Sequence, residues 1–351
     1  MKLSARPRRE HRSDPPGRVG KSLILATKDF ENESAARSWF EVLSTFVVHA
    51  VAADGVIEGG SWPVRVGCAV LAGFVQFRFL CLFHAHLHKA LLWDSKAAQW
   101  LFHALGAFIL VPRSVWMQTH NFHHINNGKI DWTSIGSYAV WTREPFDAAT
   151  PCQRRRYLWS RHTLKIATGY VWVGIYGMCL QAFIRTPKKN WVGPLALVVH
   201  IAGCTVLGTL LELQTGLALL VIPCAVNHAI AAYVFYVQHN FPGSRFFAKG
   251  EWSYTEAAVT GSSYFCMGPI MRWMTANIGY HHVHHLNHKI PTYRVAEAMA
   301  ALPELQSPTV TSWKPSDVLA SLRLKVWNPQ TQAMEGVRGA EPREPGLDRL
   351  R

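Results

Sequence analysis

The chain has 351 residues, is 49% hydrophobic and only 17% charged, and carries a formal net charge of +14. In a soluble protein that charge would point to nucleic acid. Here the apolar residues gather in runs of bilayer length, about 20 residues each, so the basic excess points instead to a membrane surface.

Residues 1–38 are polar and basic, with Arg6, Arg8, Arg9, Arg12 and Arg18. They lack the apolar core of a signal peptide and are expected to form a loosely ordered cytosolic tail. Residues 40–53 form a first, modest span, and the turn 54–63 that follows holds two acids but no Lys or Arg. A second span over 64–83 ends on His84. The apolar stretches 98–111 and 166–184 are short, and are expected to be buried or interfacial rather than spanning. Residues 192–211 and 217–237 then form a second pair of spans, joined by a turn without Lys or Arg and ending on Gln238 and His239. Residues 125–160 are polar and read as part of a cap. A helix over 268–280 is expected next, and 311–351 drifts into Pro, Glu and Arg as a loosely held tail. The organisation is a basic tail (1–38), one domain (39–310) and a C-terminal tail (311–351).

Three histidine stretches punctuate this plan. They are His84-Ala-His86-Leu-His88, His120-Asn-Phe-His123-His124 and His281-His282-Val-His284-His285. Positions i, i+3 and i+4 of a helix share a face, so each stretch can aim two or three imidazoles one way. If the stretches meet, they lie on one side of the membrane. That requires four spans in two hairpins, with both termini inside. The charges agree: of the 36 basic residues only Arg65 and Arg78 fall within spans, and all others fall on the inner side.

Neutral imidazole is a common metal ligand. Eight such residues exceed one tetrahedral site of about four ligands, so two metals are implied. An all-imidazole shell suits zinc, copper, iron or nickel, and the residues alone leave that choice open. No H-E-x-x-H is present, which disfavours a zinc protease. The seven cysteines form no C-x-x-C pair, which disfavours disulfide or zinc-thiolate frameworks. A site at the inner ends of spans suits an amphiphilic substrate.

Over residues 40–305 the chain resembles the membrane fatty acid desaturases, acyl-lipid ω-6 (Δ12-like) branch. The resemblance rests on TANIGYHHVHHLNHKIPTYRV at 275–295, FYVQHNF at 235–241 and GSSYF at 261–265. It implies an all-α integral membrane fold, with four transmembrane helices in two hairpins and a cytosolic helical cap holding a di-iron site. It also implies O2-dependent insertion of a double bond into an acyl chain carried on lipid or CoA. The implied iron ligands are His84, His88, His120, His123, His124, His239, His281, His284 and His285. Electrons would come from a separate ferredoxin or cytochrome b5, since no H-P-G-G haem motif is present. Arg154, Arg155, Arg156, Lys188 and Lys189 are candidate docking residues for that donor.

The chain departs from the family pattern in two places. Ala85 stands where the first box often has an acid, a role Asp131 could take over. Phe235 stands where the acyl-CoA branch has an Asn; Gln238, Asn240 and Asn277 are candidate substitutes. His86 and His282 sit off the shared faces and are expected to hydrogen-bond the ligands rather than join them. His288 is read as surface or supporting, and Trp116 and Trp273 as candidate linings of an acyl tunnel. A hydroxylase of lipids, alkanes, sterols or carotenoids on the same scaffold is the alternative enzyme. A non-catalytic metal-binding membrane protein is the alternative of another class. It would need polar residues through the spans, and His49, His200 and His228 are scattered.

Overall fold

Residues 17–130 and 138–337 are described by the computed structural model. The expected tail is already structured at Gly20–Ala26 (α1), which buries Leu23 in a core with Tyr280, Val283 and Leu286. Two long helices follow, α2 (Ala35–Glu58) and α3 (Trp62–Leu87). The Ser34 side chain caps α2 by accepting the Arg37 N–H, and Pro63 opens α3, where its missing N–H costs nothing. At the turn between them Arg65 Nε donates to the Gly59 carbonyl at 2.8 Å.

Next come α4 (Lys96–Phe108) and α5 (Arg113–Asn126), bent against each other by 91°. Past the gap, β1 (Trp141–Thr142), α6 (Arg143–Ala148), α7 (Pro151–Ser160) and α8 (Thr163–Ala167) build part of the cap. A π-helix (Tyr170–Gln181), α9 (Ala182–Arg185) and α10 (Pro187–Asn190) lead to α11 (Val192–Leu211) and α12 (Leu213–Val237). The remainder is short: α13 (Tyr254–Thr260), β2 (Tyr264–Cys266), α14 (Pro269–Met274), α15 (His281–Leu286), α16 (Val295–Ala301), β3 (Val310–Ser312), α17 (Pro315–Arg323), β4 (Val326–Asn328) and β5 (Ala333–Glu335).

Among the described residues four helices, α2, α3, α11 and α12, are long and apolar enough to cross a membrane. They are the four expected spans, extended by a few residues at several ends. The bent pairs differ: no limb of α4–α5, or of the pair Pro151–Ala167 and Tyr170–Arg185 with its bend of 110°, reaches the ~20 residues of a straight span. Central helix α3 packs on both α2 and α12. Gly73 permits the second contact, since a Cβ there would lie 2.5 Å from Val226 Cβ. Between α2 and α3 a buried ion pair joins Glu41 to Arg78, whose Nε also donates to Thr45 Oγ1 at 2.8 Å.

Two expectations are corrected, and the mostly helical cap gains short strands. The helix expected over 268–280 stops at Met274, because Ala276 and Asn277 take positive φ of 45° and 58° and turn the chain. The cap is not purely helical. A β1-β4-β5 sheet and a parallel β2–β3 pair tie the C-terminal segment to the body. Residues 311–337 are therefore packed rather than loose, and Trp327 is fully buried beside Phe246.

Candidate metal centre

The apolar helices end where the histidines begin. The last turn of α3 carries His84, and His88 caps it. On α5, His120, His123 and His124 share the i, i+3, i+4 face and are buried. His239 lies just beyond the end of α12, and α15 supplies His281, His284 and His285.

These nine residues converge in two groups. One comprises His84, His88, His120, His124 and His284; the other comprises His123, His239, His281 and His285. Within each group the ligand nitrogens lie within 4.8 Å of one another. The spacing rule thus acts twice: each H-x-x-H-H stretch serves both groups. His120 and His124 go to the first and His123 to the second; His284 goes to the first and His281 and His285 to the second. The groups abut, with the His124 and His285 rings stacked at 4.4 Å.

The nitrogen geometry fits metal. Nε2 atoms face inward, with His84 to His120 at 2.7 Å, His120 to His124 at 2.9 Å and His124 to His284 at 3.1 Å. In the second group His123 to His239 is 3.1 Å and His239 to His281 is 2.8 Å. Imidazoles bound at about 2.1 Å to one ion place neighbouring nitrogens roughly 3 Å apart. Two neutral rings in such contact offer at most one N–H between them, and His88 Nε2 is buried with no partner at all. Burial holds the imidazoles of His120, His123, His124, His281, His284 and His285 well below the usual range, and His239 is pushed down to about 4. They are therefore neutral, the metal-binding form. His239 Nδ1 sits 3.0 Å from the Gly261 carbonyl, which fixes its proton there and leaves Nε2 free as a donor.

Both groups consist of histidine alone among the described residues. The carboxylate lost at Ala85 has no replacement there, and Asp131 lies outside the described residues. Gln238, Asn240 and Asn277 each donate to a backbone carbonyl instead, those of Ile278, Ser321 and Thr292. Phe235 lies against the second group, its ring 4.9 Å from His123. A cavity of ≈ 50 Å³ opens on the same side, with His123, His239, Phe235 and Arg161 in its wall. That volume has room for a few waters.

His86 and His282 stay outside both groups, as their offset implies, but they do not bond the other histidines. His86 Nδ1 pairs with the Leu91 carbonyl at 2.8 Å and its ring stacks on Phe102; His282 Nε2 pairs with the Leu305 carbonyl at 3.1 Å. Of the two places open to His288, the structure gives it the supporting one, its ring 4.6 Å from His88 although α15 has already ended at Leu286. Trp116 stacks on His120 at 4.8 Å, while Trp273 lies over Arg78 instead.

A model of the fatty acid desaturase family matches residues 60–314. The chain belongs to the fatty acid desaturase family. This desaturase is 28% identical over 275 residues to a fatty acid desaturase of Bacillus subtilis (strain 168), covering 76% of each chain. It is 25% identical over 298 residues to the sn-1 oleoyl-lipid 12-desaturase of Synechocystis sp., covering 80% of each. An endoplasmic-reticulum omega-3 desaturase of Vigna radiata is 22% identical over 302 residues, covering 81% of this desaturase and 76% of its own length. The desaturase is thus an oxidoreductase with the membrane helices of its family, and its histidine clusters are compatible with a metal site.

Proposed function

We propose that the nine histidines hold two iron ions and that the enzyme introduces a double bond into a lipid-linked fatty acyl chain. The reading takes O2 as co-substrate and a separate ferredoxin or cytochrome b5 as electron donor. The observation that carries it is the pair of abutting all-histidine groups at the ends of the apolar helices. Their size, five and four donors, suits two ions of a metal that accepts imidazole readily. When bound, the irons supply the one-electron and O2 chemistry that removes hydrogen from an unactivated carbon.

The chain's own residues do the rest. α3, α5 and α15 hold the imidazoles rigidly, so a C–H bond can be presented at fixed geometry. Phe235 and Trp116 wall the centre with aromatic surface, which suits an acyl chain and keeps bulk water out. Exposed Arg155, Arg156, Lys188 and Lys189 form the basic surface on which an acidic electron donor would dock. The positive-inside bias supports a cytosolic location for this face and both termini.

The test is expression of the chain in a host of known fatty acid composition, with products located by gas chromatography and mass spectrometry. New double bonds are expected, together with about two irons per chain in the purified protein. Hydroxylated products without new double bonds would refute the desaturation reading. Stoichiometric zinc without iron in active protein would refute the metal.

A further inference from the structure

A larger cavity lies elsewhere, between the first turns of α2, the middle of α3 and α14. Its volume is ≈ 260 Å³, and Arg37, Glu41, Arg78, Arg272, Asn277 and Tyr293 are in its wall. Arg78 precedes His84 by six residues, about 9 Å along the helix. The cavity shares no wall residue with the histidine groups.

Three guanidiniums here face one carboxylate. Glu41 is engaged twice, accepting from Arg78 Nη2 and, at 2.8 Å, from Arg37 Nε. Arg78 has each of its three nitrogens occupied, by Glu41, Thr45 Oγ1 and the Trp273 carbonyl. The other two arginines have donors to spare. Arg37 uses only Nε, and Arg272 uses only Nη1, toward the Tyr280 hydroxyl at 3.4 Å. Among the described residues no second carboxylate pairs with either. The cavity therefore keeps a positive balance and four guanidinium nitrogens without a protein acceptor, Nη1 and Nη2 of Arg37 and Nε and Nη2 of Arg272.

Its position identifies the level in the membrane. Just past Arg37 on α2, Phe40, Leu43 and Val47 are 57%, 56% and 62% exposed, the start of a lipid-facing stripe. Beside Arg272, Ile270 is 75% exposed. On a helix long and apolar enough to cross a membrane such a stripe suits lipid contact, and the guanidiniums at its end fall at the level of headgroup phosphates.

We propose that this cavity binds the phosphate of an anionic phospholipid headgroup. A guanidinium fork matches two phosphate oxygens, and two such forks face the space. A zwitterionic headgroup fits less well, because its ammonium would meet three guanidiniums, two of which already lie against the Trp273 and Tyr293 rings, and Glu41 is shared by two arginines. Bound there, the lipid joins α2 to the segment that leads from α14 into α15.

The test titrates the purified full-length protein with phosphatidylglycerol, phosphatidylcholine or inorganic phosphate. Bound lipid is read by native mass spectrometry, and the thermal unfolding midpoint is recorded alongside. One phosphatidylglycerol is expected to bind at least about tenfold more tightly than phosphatidylcholine, whose added ammonium the guanidiniums repel. The double variant Arg37→Gln/Arg272→Gln should lose that preference while keeping its metal content, which separates this site from the metal centre. Should the double variant misfold, Arg272→Glu alone sets a carboxylate against the headgroup and should bring the same loss. Equal binding of both lipids, or unchanged phosphatidylglycerol binding by the variants, would overturn the proposal. So would inorganic phosphate raising the midpoint as much as the lipid at equal concentration, since the site would then hold a free ion.

Discussion

His239 is the one member of the two groups outside a histidine stretch, and it offers a controlled test of the centre. Its Nε2 lies 3.1 Å from that of His123 and 2.8 Å from that of His281, so His239→Ala removes a donor from a group of only four. Losing a group that merely supports a ligand costs about 10–100-fold in metal affinity or activity, so losing a direct ligand should cost at least about 100-fold. The control is His228→Ala. His228 lies on the same helix, about 16 Å earlier along its axis. Its Nδ1 meets the Cys224 carbonyl within α12, and it belongs to neither group. Both variants are purified, iron is measured by elemental analysis, and new double bonds are counted by gas chromatography. His239→Ala should lose desaturation and part of its iron; His228→Ala should keep its iron. Full iron and activity in His239→Ala would mean that the second group holds its ion through three histidines or none. Loss confined to His228→Ala would mean that the ion lies within the membrane.

Three further outcomes are expected. A reporter fused after Arg351, or a labelled cysteine in place of Lys189, should report from the cytosol; labelling from outside would refute the sidedness. Iron retention should be constant above about pH 7 and fall as pH drops below about 6.5. The sign follows from the buried imidazoles, typified by His239 near 4: they stay neutral in the fold, while released or unfolded ones take up protons from about 6.5 downward, so acid favours the open, metal-free chain. Retention that is flat to pH 4 would contradict ligation by these residues. Glu41→Gln leaves the Arg78 guanidinium, only 1% exposed, without its counter-charge, and should destabilise the protein by about 3–5 kcal/mol in thermal unfolding.

The four membrane helices were legible because each is a long apolar run, and length is decided locally. The histidine groups were legible because i, i+3 and i+4 spacing fixes direction on a helix, and the same rule set His86 and His282 apart. What escaped was non-local. β1, β4 and β5 are two or three residues long, and β1 exists only through its pairing with β4 nearly two hundred residues away, so no periodicity could mark them. The break after Met274 depends on two left-handed residues, Ala276 and Asn277, in a stretch whose composition suits a helix. α1 gains its order from burying Leu23 against residues near 280–305, a contact invisible in a basic leader. For His288 the sequence left surface and supporting places open, because its nearness to His88 depends on how the chain leaves α15, not on helical spacing.

The sharing of α5 and α15 between both histidine groups bears on how the protein is made. During synthesis, α3 and α5 emerge early and can hold only fragments of each group. Neither group closes until His285 has left the ribosome, by which time the four membrane helices have already been threaded. Both groups are therefore completed late in the chain, and a nascent chain arrested before α15 has neither of them whole. The order in which the two groups are completed is written into the interleaving of two motifs.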